Sequence, residues 1–172
     1  AELTWEELRD LDRSRAVALL PVGAIEAHGP HLPLATDVIL AEAMAEAAAR
    51  HLEADGRTAV ILPTIPYAAA PFGAGFPGTV SVGAESVLRL ALDVAREVTR
   101  QGFAALGIAN AHLDPAHLKT LAAARDAADE EELIPVVCPD LTRKPWALRL
   151  GEEFQTGACH AGRYEGSVVL AA

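Results

Sequence analysis

The residues best suited to chemistry are concentrated in one short segment of the chain. Glu26, His28 and Asp37 follow an apolar run and are interleaved with glycine and proline. Carboxylate oxygens and imidazole nitrogens are common protein ligands of transition metals. On looped backbone the Glu-x-His spacing can point both side chains the same way, and the two oxygens of Asp37 could bridge neighbouring ions. The segment therefore predicts one half of a metal site.

A second nitrogen and oxygen pair, His112 and Asp114, follows another apolar run and is expected to supply further ligands. Asp114 precedes Pro115, and an aspartate before a proline is also typical of a capped helix start. A helix cap is equally an alternative for Asp37, which stands where a long helical pattern begins. The sequence leaves ligand and cap open for both aspartates.

Three further histidines have different expected roles. His160 lies in a glycine-rich stretch with Glu165 five residues later. Because free histidine has a pKa of about 6.5, we expect His160 to act as a proton shuttle beside the metal site. His31, between two prolines, is expected to hydrogen-bond a metal ligand. His117 falls inside a helical pattern and is expected to be structural.

Buried strands and helices alternate along the chain and must position these residues. The predicted strands cover residues 16–22, 58–62, 103–109, 134–138 and 167–170, and the long predicted helices cover residues 37–52, 85–100 and 116–128. This alternation predicts an α/β fold, a three-layer α/β/α arrangement with a mostly parallel sheet. In such sheets sites form beyond the carboxyl ends of the strands. Glu26, His28 and His112 follow two of these ends, which predicts a shared site.

Residues 63–78 are rich in proline, glycine and alanine and are expected to form an ordered loop over the site. Within them residues 73–78 match the spacing of a dinucleotide-binding fingerprint. That fingerprint needs a strand before it and a helix directly after it. Here prolines precede the match, and residues 79–82 alternate like a strand. We therefore reject a nicotinamide site.

Composition limits the classes of partner. The net charge is −10, which argues against nucleic acid or an anionic membrane surface as a partner. No apolar stretch has the length of a membrane span. The two cysteines are more typical of buried thiols than of a disulfide. These features predict a cytoplasmic enzyme.

The sequence resembles the creatininase (creatinine amidohydrolase) family. The motifs that carry the resemblance are LPVGAIEAHGPHLP at residues 20–33 with Asp37, FPGT at 76–79, NAH at 110–112 and HAGRYE at 160–165. They occur in family order across nearly the whole chain.

The resemblance implies a homohexameric enzyme that holds two divalent metal ions, zinc or manganese with iron as a further option. It hydrolyses a non-peptide C–N bond, of the cyclic amide or formamide type, with a hydroxide bound between the metals. Glu26, Asp37 and His112 would hold one metal, and His28, Asp37 and Asp114 the other. His160 would be the catalytic histidine and Glu165 its neighbour.

Relatives in this family extend beyond Leu170, so residues 1–172 are expected to form a single creatininase-like domain shortened at its C-terminus. Two alternatives remain open at this point. One is a peptidase of the same family that trims a modified peptide. The other is a metal-binding oligomeric subunit without turnover.

Overall fold

Four parallel strands form one sheet in a computed structural model that describes residues 2–157 and 159–172. The strands are β1 (Ala16–Val22), β2 (Thr58–Ile61), β3 (Ala105–Asn110) and β4 (Val136–Val137), in the spatial order β2-β1-β3-β4. The helices are α1 (Trp5–Asp10), α2 (Thr36–Ala54), α3 (Ala84–Arg100), α4 (Pro115–Glu130), α5 (Glu152–Thr156) and α6 (Arg163–Ala171). Thr4 caps α1 in a capping box, in which its side chain accepts from the backbone nitrogen of Glu7 and the Glu7 side chain accepts from the backbone nitrogen of Thr4.

Helices cover both faces of the sheet, which confirms the predicted three-layer α/β/α architecture. Successive residues of β1 alternate between the faces, as the geometry of a strand requires. Ala18 and Leu20 belong to the apolar cluster that contains side chains of α3 and α4. Val17 and Leu19 instead pack with Ala45 and other residues of α2. Because β1 is buried on both sides, its sequence is continuously apolar.

The strand order places a topological switch point between β1 and β3. From β1 the chain crosses to β2 on one side, whereas β3 pairs with the other side of β1. The loops that leave β1 and β3 therefore diverge at the carboxyl edge of the sheet and open a crevice there. Ligands of open α/β sheets bind in this crevice, and the loops with Glu26 and His112 begin at it.

The predicted strand at residues 167–170 is wrong. These residues belong to α6, whose Tyr164 and Val168 lie four residues apart and pack against the cluster that contains Leu40 and Ala41 of α2. The four-residue spacing is helical, and burial against a helix rather than the sheet decides the conformation. Residues 79–82 also form no strand, since their β-pairing is an isolated bridge between Ser81 and Ala68.

The glycine-rich stretch that contains His160 lies between two helices, because α5 ends at Thr156 and α6 starts at Arg163. In the described part of the chain, no helix is long and apolar enough to cross a membrane.

Candidate metal centre

The site begins where the end of β1 touches the start of α2. A Cβ atom on Gly23, one residue after β1, would lie 2.6 Å from the backbone nitrogen of Val38 and 2.7 Å from the carbonyl carbon of Asp37. Only glycine permits this approach of two backbones. It places Asp37, in the first turn of α2, directly beside the loop that carries Glu26 and His28.

The loop after β1 fixes the orientation of His28. Its Nδ1 lies 3.1 Å from the carbonyl oxygen of Glu26. A carbonyl can only accept a hydrogen bond, so Nδ1 carries a proton and Nε2 is the nitrogen that could act as a ligand once it has lost its own proton. Nε2 lies 3.1 Å from Oδ1 of Asp37 and 3.9 Å from Oε1 of Glu165. The imidazole is completely buried.

His112 follows β3 and is held in the same manner. Its Nε2 donates to the carbonyl of Ala69 at 3.1 Å. The Nδ1 atom then faces Oδ2 of Asp37 at 2.9 Å and Oε1 of Glu26 at 3.1 Å. A second ring nitrogen anchored to a backbone carbonyl is the usual support of a metal-binding histidine.

Asn110 and His117 fix the backbone of His112. Nδ2 of Asn110 donates to the carbonyl of His112 at 2.8 Å, and Oδ1 of Asn110 accepts from Nε2 of His117 at 3.0 Å. His117 is fully buried in α4, and burial lowers its pKa to about 3. Neutral and hydrogen-bonded, this histidine supports the site from outside it.

Asp37 lies between the two histidines and presents a different oxygen to each. Burial opposes its ionisation, but hydrogen bonds from His112 and His28 outweigh burial and lower the pKa of the Asp37 carboxyl. Burial likewise disfavours a charged imidazole at His112, yet the hydrogen bonds with Asp37 and Glu26 raise its pKa to about 10. The centre therefore strongly favours positive charge among its carboxylates.

Among the described residues, the donor atoms form three overlapping groups whose members lie within 4.8 Å of one another. These groups are Glu26–Asp37–His112, His28–Asp37–Glu165 and Glu26–His28–His160. Two of the groups share Asp37, so its carboxylate joins two potential cation positions. The spacing suits metal binding, because ligands at about 2.0–2.2 Å from one ion lie roughly 3–3.5 Å from each other.

The position of Glu165 differs from the glycine-rich stretch in which the sequence placed it with His160. It lies in the first turn of α6, is buried, and groups with His28 and Asp37. Burial raises the pKa of its carboxyl, although His28 and His160 partly oppose this. Its Oε2 is a buried atom that has no hydrogen-bond partner within the described ranges. The apolar residues Tyr164 and Val168 are four positions apart in the sequence, which is a helical spacing. This spacing could have predicted that Glu165 lies on a helix facing α2.

Asp114 takes no part in the three donor groups. Its Oδ1 accepts a hydrogen bond from the backbone nitrogen of Ala116 at 2.8 Å and caps α4, with Pro115 at the first helical position. The structure thus shows the helix-cap arrangement for this residue. Its Oδ2 is buried and, in the part of the chain described, without a partner.

His160 lies at the rim of the centre. Its Nε2 donates to the carbonyl of Ala27 at 2.9 Å, and its Nδ1 faces Oε1 of Glu26 at 3.8 Å. The ring stacks on His28 with 4.4 Å between centroids, while more than half of the side chain remains accessible to solvent. The side chain of His31, by contrast, is exposed and lies outside the donor groups.

The segment of residues 73–79 braces the Glu26 loop. Oγ1 of Thr79 accepts from the backbone nitrogen of Ala27 at 3.0 Å. A Cβ on Gly73 would lie 3.0 Å from Oε2 of Glu26, so glycine leaves that carboxylate its space. This is the structural role of the glycine-rich stretch that resembled a dinucleotide fingerprint, since no helix starts directly after it.

A cavity of about 450 Å³ opens onto the donor atoms. Its lining includes Glu26, Asp37 and His112, together with His160 and Glu165. Phe72 and Phe76 line it as well, although both are largely exposed. A small organic molecule can therefore reach the cluster of buried carboxylates and histidines.

The profile of the Creatininase family, described as creatinine amidohydrolase, matches residues 1–172. The chain belongs to this family. The resemblance seen in the sequence motifs is thereby confirmed, and the motifs that carry it are the ones that build the centre.

Curated relatives of the creatininase family include two different enzymes. A mycofactocin precursor peptide peptidase of Mycolicibacterium smegmatis is 39% identical over 93 residues, which cover 54% of this chain and 38% of that protein. A creatinine amidohydrolase of Pseudomonas putida is 32% identical over 119 residues, covering 66% of this chain and 44% of that protein. The matched part thus spans less than half the length of either relative.

Solved creatininase structures share the fold over nearly the whole chain. A manganese form of creatininase superposes with a TM-score of 0.76 at 27% identity, covering 99% of this chain and 70% of the other. The Zn–Zn form of a creatininase variant gives a TM-score of 0.75 at 26% identity with the same coverage.

Proposed function

We propose that this creatininase-family chain holds two divalent cations and hydrolyses a C–N amide bond of a small molecule, of the cyclic amide or formamide type. The observation that carries the proposal is the position of Asp37, whose two oxygens face His28 and His112 separately. A carboxylate that meets two anchored histidines in this way is suited to bridging two ions.

The donor set fits such a pair of cations. Three carboxylates, those of Glu26, Asp37 and Glu165, are buried together, and buried negative charge is stable only beside positive charge. The ligand atoms would be Oε2 of Glu165, which has no hydrogen-bond partner among the described residues, and the ring nitrogens of His28 and His112 that face Asp37. Imidazole and carboxylate ligands suit zinc and manganese, the metals of the two solved creatininase structures.

We assign Glu26, Asp37 and His112 to one cation, as the family resemblance implies. For the other we assign His28 and Asp37 together with Glu165, which takes the place expected for Asp114. Asp114 then acts as the cap of α4, consistent with its hydrogen bond to Ala116. Two of the three groups of donor atoms described above contain these same residues, which supports the assignment.

Two divalent cations, when bound here, would polarise an amide carbonyl and lower the pKa of a water molecule to about 7. The chain's own residue for moving protons is His160. Its Nε2 is held by the carbonyl of Ala27, so Nδ1 is the atom that can accept a proton from water and pass it to the leaving nitrogen. Hydrolysis then yields a carboxylic acid and an amine, without a covalent intermediate on the protein.

A peptidase that trims a modified peptide is the second candidate, and the similarity to the mycofactocin precursor peptide peptidase favours it. The same centre could hydrolyse a peptide bond or a non-peptide amide bond, because a peptide bond is also an amide. A metal-binding subunit without turnover is the third possibility, and it predicts no activity on any amide.

The experiment compares wild type, Glu26→Ala and His160→Ala on cyclic amides, formamides and short peptides, with bound metal measured in parallel. We expect Glu26→Ala to lose metal and activity together. His160→Ala should retain its metal and lose about 10²–10⁴-fold in kcat, the usual contribution of general acid–base catalysis. His51→Ala, which changes an exposed histidine of α2, is the matched control. Equal inactivity of all proteins with full metal content would establish the non-catalytic alternative.

A further inference from the structure

A second cavity adjoins the one over the donor atoms. Its volume is about 950 Å³, roughly twice that of the first. Four residues line both cavities: Leu113, Pro115, Gly157 and Cys159. We call the second cavity the side cleft. A molecule longer than a simple amide could extend from the centre into it.

The side cleft is positively charged in a molecule that is otherwise acidic. Lys119, Arg125 and Arg143 line it, whereas Asp140 is its one acidic lining residue among those described. The chain as a whole carries a net charge of −10. Asp126 pairs with Arg125 and Asp140 with Arg143, so Lys119 is the lining cation without an ion-pair partner among the described residues, and it makes this cleft a local site of attraction for anions.

The cations retain hydrogen-bonding capacity for a ligand. Arg125 pairs with Asp126 through Nε and Nη2, and Arg143 pairs with Asp140 through Nε. A guanidinium has five N–H donors, so each pair leaves several of them for an oxyanion. Cys138 adds no opposing charge, because burial raises the pKa of its thiol to about 11.

Apolar surface lies beside these charges. One face of α4 contributes Leu118 and Ala122, which are spaced at helical intervals from Pro115 and Arg125. Trp146 and Phe154 also line the cleft. This combination accommodates an organic linker together with a terminal anionic group.

We propose that the side cleft binds an anionic oxygen group, a carboxylate or a phosphate, at the far end of an elongated amide substrate whose scissile bond lies at the metal centre. This inference rests on the proposed function and names the class of substrate that the centre takes. A neutral compact amide would leave the cleft and its cations unused.

The test uses zinc-loaded protein and matched formamides. The probes are N-formyldiglycine and N-formyltriglycine as free acids, the same peptides as C-terminal amides, and the phosphoethanolamine amide of N-formylglycine. Formate release gives kcat and KM, and calorimetry gives Kd for each probe. We expect KM and Kd at least tenfold lower for an anionic probe than for its neutral partner. Comparison of the carboxylate and phosphate probes then identifies the preferred group, which is the one whose probe has the lower KM and Kd.

The double variant Lys119→Gln/Arg143→Gln should raise KM for the anionic probe about tenfold and leave kcat and the neutral probe within twofold. Lys119→Arg should retain wild-type affinity. The control Arg50→Gln/Arg89→Gln removes the same charge from exposed positions on α2 and α3 and should have no effect. An equal effect of the control would show that only overall charge matters and would overturn the inference.

The outcomes separate the two proposals. Hydrolysis with equal KM for anionic and neutral probes supports amide hydrolysis and refutes the anion site. Tight binding of the anionic probe without hydrolysis, abolished in the double variant, supports the anion site and refutes the proposed activity. Equal binding of all probes by wild type refutes the anion site, whatever the activity.

Discussion

Each of three histidines around the centre is fixed by a main-chain carbonyl at one ring nitrogen. His28 is held by Glu26, His112 by Ala69 and His160 by Ala27. The remaining nitrogen of each ring then faces carboxylate oxygens. A backbone carbonyl has no side-chain entropy to lose when it accepts a hydrogen bond from an imidazole. The three histidines are therefore oriented before any ligand binds.

The two acids Glu165 and Asp114 can be distinguished by isosteric amides. We expect Glu165→Gln to reduce bound metal from two ions to one, because an amide is a weaker cation ligand than a carboxylate. Asp114→Asn should keep both ions, since asparagine caps a helix about as well as aspartate. Metal content by mass spectrometry after dialysis measures both. Loss of an ion from Asp114→Asn with both retained in Glu165→Gln would reverse our assignment.

His117 makes the stability of the fold dependent on pH. Its pKa is about 3 in the folded chain and about 6.5 when unfolded, so the unfolded state takes up a proton first as the pH falls. The stabilising contribution is present above pH 6.5 and is lost on acidification towards pH 3. Between pH 7.5 and 5 the free energy of unfolding should fall by about 2 kcal/mol more in wild type than in His117→Gln.

Urea unfolding at the two pH values, in the presence of chelator, provides this comparison. Because both proteins retain His28 and His112, the difference reports His117 together with its electrostatic repulsion from His112. Parallel pH profiles of wild type and His117→Gln would contradict the buried neutral state of His117.

At the scale of elements, the contact between β1 and α2 brings the two halves of the centre together. Gly23 allows the strand end to touch the first turn of the helix, and Asp37 lies in that turn. The positive end of the α2 dipole also favours a carboxylate there. A helix that supplies the bridging acid is thereby fixed to the strand whose loop supplies Glu26 and His28.

Gly23→Ala should separate these elements. Its Cβ would meet backbone atoms of Asp37 and Val38 that cannot move alone, so α2 must shift. We expect a loss of about 1–3 kcal/mol in the free energy of unfolding, typical of overpacking, and weaker metal binding. Gly75→Ala is the control, since a Cβ there meets no atom within 4 Å. Equal stability and metal affinity of both variants would contradict this role of Gly23.

At the scale of the whole molecule, bound cations should stabilise the fold because the unfolded chain lacks the assembled donors. At a free concentration one hundred times the Kd, one ion adds about 2.7 kcal/mol. For a chain of this length that corresponds to a rise in Tm of about 5–10 °C. Thermal unfolding with chelator and with added zinc or manganese measures the shift. Asp37→Asn should abolish it, and a shift that survives in this variant would place the ions elsewhere.

The homohexamer implied by the family resemblance stays a prediction for this chain. Light scattering after size-exclusion chromatography should then give six times the chain mass of 18.0 kDa. A monomer at micromolar concentration would refute the prediction.

The sequence by itself determined the alternation of strands and helices, because buried strands and amphipathic helices have different hydrophobic periods. It also determined that Glu26, His28 and His112 follow strand ends, which a parallel sheet brings to one edge. The family followed from motifs that lie in those loops. These properties depend on local pattern and on the general geometry of α/β sheets.

Only the tertiary structure decided which acid joins His28 and Asp37. Asp114 is near in sequence to His112 but uses an oxygen to cap α4, whereas Glu165 reaches the centre because α6 packs on α2. The conformation of residues 167–170 depended on that same contact, since short apolar segments adopt the structure that buries them. A carboxylate's partners are set by packing between distant segments, and spacing along the chain does not encode that packing.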